Sequence, residues 1–257
     1  MKQVSATFTK TLKGFFRMKA VLIGTIIWPI ALLALICLTL LSSVSKSNLS
    51  AAKGSVTISM IVFSLMLLGL GNLSSSIARD RESGLLSKLK SMPVSPIFDF
   101  LGRIAGLTVF SLIAAFLITL AGFAMGARFT VMPIDGIKLV GFVLVIIIAT
   151  AGIGLILGSL IKIVQGTIFL GIGITVVTSY ISGIFTPYSS LSSGLQAFAR
   201  IFPISSASSS ATYILLGKNI AGYNPLTTGQ MITTIVLSLV LISAGTLIYS
   251  KIGWSRE

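Results

Sequence analysis

Residues 79–103 read RDRESGLLSKLKSMPVSPIFDFLGR, a charged, proline-punctuated stretch between two long apolar runs. Eight charged side chains sit in it: Arg79, Asp80, Arg81, Glu82, Lys88, Lys90, Asp99 and Arg103. The rest of the chain is greasy. Of its 257 residues 54% are hydrophobic and only 9% are charged, whereas a water-soluble domain carries about 25% charged residues. A polar segment of this size between apolar runs is where a soluble partner takes hold.

Outward from it, six segments are long enough to cross a bilayer: Ala20–Leu41, Val56–Ile77, Ile104–Ala127, Leu139–Ile161, Thr167–Thr186 and Met231–Ser250. A span needs about 20 apolar residues, because roughly 1.5 Å of rise per residue must cover about 30 Å of hydrocarbon. A soluble core is the poorer reading, since the runs recur without a polar face. The pattern predicts an all-α polytopic membrane protein. The first run is too long for a cleaved signal peptide and reads as a retained span, with Trp28-Pro29 as a kink that a helical bundle tolerates.

Charge sets the orientation. With the N-terminus inside, the cytoplasmic segments hold 13 of the 19 basic residues, leaving Lys46, Lys53, Arg128, Lys138, Arg200 and Lys218 outside. The positive-inside bias therefore predicts a multi-pass protein with both termini cytoplasmic, expected in the cell (plasma or inner) membrane. The net charge of +14 is spread over membrane flanks, which points to anionic lipid headgroups as partners and away from nucleic acid. Cys37, alone of its kind, forms no internal disulfide.

Several chemistries are excluded by absence. There is no histidine, and the five acidic residues all fall outside the six predicted spans. Ion-driven carriers usually place ionisable groups at membrane depth to hold the coupling ion. The sequence has no Gly-x-x-x-x-Gly-Lys-Ser/Thr phosphate loop, so ATP hydrolysis is expected elsewhere.

Smaller elements are legible too. In residues 1–19, Val4, Phe8, Leu12, Phe15 and Phe16 fall on one arc of a helical wheel, with Lys2, Lys10, Lys13 and Arg17 opposite. This predicts a helix in the inner membrane interface, aromatic face down. In 79–103, Arg81-Glu82-Ser83-Gly84 closes one element. Leu85, Leu86, Leu89 and Met92 share one side of a short helix that Pro93 ends. Ser95-Pro96 then reads as N-cap and first helical position of the third span. The short helix is either a lever for another protein or an element resting on the bundle or on lipid. In 187–229, Leu191, Leu195, Phe198 and Phe202 recur at helical spacing and stop at Pro203. This outer amphipathic element re-enters the membrane, lies on it, or caps the bundle. Ser205–Ser210, nearly all serine, is expected at a wet cavity rim. The pairs Gly102/Gly106, Gly122/Gly126 and Gly154/Gly158 read as helix packing.

Two stretches carry a resemblance. Asp80-Arg81-Glu82-Ser83-Gly84-Leu85-Leu86-Ser87-Lys88-Leu89, with Pro93-Val94-Ser95 and Leu101-Gly102-Arg103, resembles the cytoplasmic hairpin of type-2 ABC transporter permeases. Ser182-Gly183-Ile184-Phe185-Thr186-Pro187, continuing through Leu191, Leu195-Gln196 and Phe202-Pro203 to Gly217, is similar to that family's fifth span and outer re-entrant region. The chain departs from the pattern at Asp80, Leu85 and Ser192, where glutamate, threonine and proline are usual, and lacks the arginine often found before Gly217.

The resemblance implies one permease domain over 1–257: six spans, an interfacial N-terminal helix, a cytoplasmic coupling helix and an outer re-entrant helix. It implies two permease subunits, copies or paralogues, and cytoplasmic ABC ATPase subunits that bind the ATP and magnesium. Arg81, Glu82, Gly84, Leu85, Leu86, Lys88 and Leu89 would dock the ATPase, with Glu82 as polar anchor. Phe185, Pro187, Phe202 and Pro203 would form an outer gate. Apolar spans without buried charge suggest export of hydrophobic or amphipathic compounds, such as a drug, antimicrobial peptide or lipid. The alternatives are export of lipid-linked polysaccharide, an ion-coupled carrier and, least favoured, a membrane enzyme.

Overall fold

The computed structural model describes residues 2–39, 46–91, 95–129 and 133–253. Met92, Pro93 and Val94, and with them the predicted end of the short helix, lie outside the described residues, as does the end of the first predicted span. Among the described residues the regular structure is helical. Helix α1 (Lys2–Arg17) precedes α2 (Lys19–Leu22) and α3 (Trp28–Leu38); then come α4 (Lys46–Met66), α5 (Ser74–Glu82) and α6 (Leu85–Lys90). Next are α7 (Pro96–Ala124), α8 (Pro133–Leu160), α9 (Val164–Ile181), α10 (Ser193–Ile201), α11 (Pro203–Leu216), α12 (Lys218–Ala221) and α13 (Thr228–Ile248).

Among the described residues, six helices are long and apolar enough to cross a membrane: Lys19–Leu38, Asn48–Glu82, Pro96–Ala124, Asp135–Leu160, Val164–Ile181 and Thr228–Ile252. They match the six predicted segments. The first is α2 and α3 joined by a π-helical turn, Ile23–Ile27, directly before Trp28 and Pro29. The proline lacks an N–H, and the widened turn absorbs that break. The fifth ends earlier than predicted, because Ser182 leaves the helix and Gly183 adopts a φ of +80°.

The second membrane helix is the hub. In its apolar stretch 78% of residues are buried, against at most 44% in any other. It is much longer than the predicted span, running as α4, a π-helical turn (Leu67–Leu73) and α5 without a break. Burial in lipid gains little from the hydrophobic effect, so contact must come from close packing and hydrogen bonds. Small residues supply the contact: a side chain at Gly154 would overlap the carbonyl of Gly69, and one at Gly171 the carbonyl of Leu70. Ser64 adds a hydrogen bond of 2.5 Å to the carbonyl of Thr25 in the π turn of the first span.

Helix α1 forms as predicted and lies along the start of α7. Val4, Thr7 and Thr11 sit over Gly102 and Gly106, where an added Cβ would come within 3.0 Å of Thr7 or Thr11. That glycine pair therefore packs the N-terminal helix. Phe15, expected to face the membrane interface, is buried with its ring 5.4 Å from that of Phe110. Lys10, Lys13 and Arg17 remain exposed.

Residues 187–229, expected as an outer amphipathic element, fold differently from that expectation. Helix α10 holds Leu195 and Phe198 of the four residues expected on it; Leu191 precedes it, Phe202 caps its end, and Pro203 begins α11. Ser205, Ser206, Ser208 and Ser210 are buried in α11, which packs against α4, α8 and α13. Serine suits this place because its hydroxyl can be satisfied locally. Ser210 bonds the carbonyl of Ser206 at 2.9 Å, and Ser206 shares a 2.7 Å hydrogen bond with Thr234.

Candidate functional site

The charged hairpin is built as its sequence suggests. Ser83 closes α5, and Gly84, at φ +67°, turns the chain into α6; a left-handed residue without a Cβ makes this turn without strain. Leu86 is buried, Leu85 and Leu89 are half-buried, and Lys88 is exposed. One side of α6 thus rests on the bundle and the other faces outward. Ser95 occupies the N-cap of α7 with Pro96 first in the helix, but its hydroxyl makes no capping bond.

Arg81 and Glu82 have intrachain partners that sequence reasoning missed. Arg81 Nη2 donates to the carbonyl of Ser159, at the end of α8, at 2.8 Å. Glu82 Oε1 accepts the backbone N–H of Val164, the first residue of α9, at 2.8 Å. Both choices follow helix electrostatics, a cation at a C-terminus and an anion at an N-terminus. The pair brackets the turn between α8 and α9. Glu82 remains exposed.

Directly behind the hairpin lies a buried ionic cluster, which corrects the expectation of spans free of buried charge. Arg103 Nη2 donates to Asp80 at 2.5 Å, and its Nε donates to Asp99 at 2.7 Å. Asp99 also accepts the hydroxyls of Tyr249 at 2.6 Å and Thr7 at 3.1 Å, and Asp80 accepts Lys10 Nζ at 2.6 Å. Asp99 and Arg103 are 3% and 2% exposed. Two cations and two anions balance, so burial leaves no uncompensated charge. The cluster ties α1, α5, α7 and the C-terminal π turn (Tyr249–Gly253) into one block. Its one sequence signal was the i,i+4 spacing of Asp99 and Arg103, which brings opposite charges together on a helix.

The other end of the second membrane helix is chemically unlike this. A cavity of about 660 Å³ opens between the first half of α4, the 183–189 segment and α11. Phe185 and Pro187 line it. Phe202 and Pro203 are absent from its lining: Phe202 stacks on Phe198 at 5.3 Å, and Pro203 is buried at the start of α11. Phe185 and Phe202 both pack against the main hydrophobic cluster of the bundle, and of the four residues expected at a gate two line the cavity and two stand outside its lining. Ser208 and Ser209 of the serine stretch do face the cavity. Tyr188, in its wall, accepts Arg200 Nε at its hydroxyl at 2.6 Å, and Arg200 also lies over the ring of Tyr223 at 5.2 Å. Burial raises the Tyr223 hydroxyl above its ordinary pKa. Among the described residues no group of three or more His, Cys, Asp or Glu side chains is placed to hold a metal.

The sequence model of the family described as ABC-2 type transporter matches residues 2–216, from the N-terminal helix to the end of α11. No curated protein matches the chain.

Proposed function

The chain belongs to the ABC-2 type transporter family, a permease family and not a catalytic one, and from this premise we propose that it is the membrane half of an ATP-driven exporter. An ABC ATPase in a separate chain binds and hydrolyses ATP with magnesium, and docks on α6. A second permease, copy or paralogue, completes the pathway. The protein sits in the plasma membrane with both termini in the cytoplasm, α1 at the inner interface and α10–α11 as the outer, re-entrant element. The cargo is hydrophobic or amphipathic, a drug, peptide or lipid.

The observation that carries this reading is the braced hairpin. Leu86 and the ionic cluster seat α6 and α5 on the bundle, while Lys88 of α6 and Glu82 at the end of α5 stay exposed. A push on α6 would be delivered straight to the hub helix, since α4, its π turn and α5 are continuous. Lipid-linked polysaccharide remains the second reading, favoured by the hydroxyls of the outer cavity.

Gentle affinity purification from native membranes, with mass spectrometry and an ATPase assay, tests the proposal. An ABC ATPase should co-purify stoichiometrically and be lost on Lys88→Glu or Leu89→Arg. A permease that arrives alone and transports without nucleotide would point to an ion-coupled carrier.

A further inference from the structure

Among the described residues, the lining of the 660 Å³ cavity contains hydroxyl and carboxamide side chains and no ionisable group other than the Tyr188 phenol, in a chain with 19 lysines and arginines. Its volume lies in the range of small-molecule sites and equals that of about 20 waters at roughly 30 Å³ each. Asn48 and Asn219 stand at exposed positions of the wall, and Ser55, Ser59, Ser208 and Thr212 lie deeper. The protons of Ser59 and Thr212 are spent on the carbonyls of Ile184 and Ser208, which leaves their oxygens as acceptors. The carboxamides offer donors and acceptors together.

Such a wall discriminates by charge. A phosphate, carboxylate or ammonium entering it would lose water without gaining a counter-ion. A group bearing many hydroxyls loses nothing it cannot regain, because each hydroxyl both donates and accepts. The apolar side is present too. Phe185, in the wall, meets the rings of Phe63 at 5.1 Å and Tyr180 at 5.4 Å. Tyr180 continues onto the outward-facing side of α9, where Val176 and Val177 are exposed. A polar pocket thus opens beside an apolar strip.

We propose that this cavity binds the uncharged, polyhydroxylated head group of an amphipathic molecule whose tail lies along α9. As a substrate site the inference rests on the exporter reading; as a binding site it stands on the cavity alone.

The test uses the full-length permease in nanodiscs of phosphatidylglycerol and phosphatidylethanolamine, with a few mole per cent of monoglucosyl diacylglycerol carrying a diazirine on the sugar. After irradiation, labelled peptides are mapped. Label should concentrate on 183–189 and 208–219, and unlabelled glucosyl lipid should compete it away at least tenfold better than added phosphatidylglycerol. Ser208→Leu should cut labelling about tenfold. Asn219→Ala, at an exposed position that endangers no packing, should cut it about threefold. Label scattered along lipid-facing α7 and α13, or equal competition by phosphatidylglycerol, overturns the proposal. No ATPase is needed in this assay, so labelling of a permease that co-purifies without any ATPase would refute the exporter reading and uphold the site.

Discussion

The two ends of the second membrane helix solve opposite problems. At one end Asp80, Asp99, Arg103 and Lys10 gather four charges behind the hairpin; at the other, Ser55 and Ser59 open onto a cavity with no charged side chain among the described residues that line it. About 30 Å separates Ser59 from Asp80 along the helix, at about 1.5 Å of rise per residue. The difference fits the roles proposed above for the two ends. A buried ion cluster is costly to disrupt and rigid while intact, which suits an end that receives force. A neutral hydroxyl wall has many weak, exchangeable partners, which suits an end that receives a ligand.

The comparison breaks most severely at Arg103. Arg103→Leu leaves Asp80 with only Lys10 and strands Asp99 beside two hydroxyls, at a cost of about 3–5 kcal/mol for a broken buried pair. Thermal scans in detergent should show the loss, and raised salt should not mimic it, because buried pairs are poorly screened. If Arg103→Leu melts with the parent, the cluster does not hold the block together.

Next in size is the hub packing that joins the ends. Gly154→Val forces a side chain into the carbonyl of Gly69 and should cost about 1–3 kcal/mol by overpacking, read as a lower melting temperature. Glu82→Gln should cost about 1 kcal/mol, by weakening the cap on α9, with α9 amides near Val164 exchanging faster in hydrogen-exchange mass spectrometry. Lys10→Gln, at a half-exposed side chain, should cost less than about 1 kcal/mol. Smallest of all is Ser55→Ala in the cavity wall, expected within about 0.5 kcal/mol. A cavity substitution that destabilised as much as Arg103→Leu would erase the distinction between the two ends.

Much of this was legible in the chain. The hairpin turn could be read at Gly84, the start of α7 at Ser95-Pro96, and the N-terminal helix from the spacing of Val4, Phe8, Leu12 and Phe15. The inward turn of Asp99 and Arg103 was not read, because a charged flank beside an apolar run looks the same whether it faces water or a neighbouring helix. The serines of α11, expected at a wet rim, divide: Ser208 and Ser209 line the cavity, while Ser206 and Ser210 bond within the packed helices. Composition registers their polarity but not the neighbouring hydroxyl of Thr234 or the backbone carbonyls that satisfy it. The resemblance groups Phe202 and Pro203 with Phe185 and Pro187, and only the structure shows that the latter two line the cavity while the former two sit at the junction of α10 and α11.

The sequence by itself determined how many times the chain can cross a bilayer, where its helices break and where its charge collects. These depend on residues near one another along the chain, through transfer free energy, proline and glycine geometry and helical periodicity. The tertiary structure decided which charges are paired and buried, which glycines let backbones touch, and where a cavity opens. Those outcomes depend on distances between residues far apart in sequence, such as Tyr249 and Asp99 or Glu82 and Val164. Only packing fixes such distances.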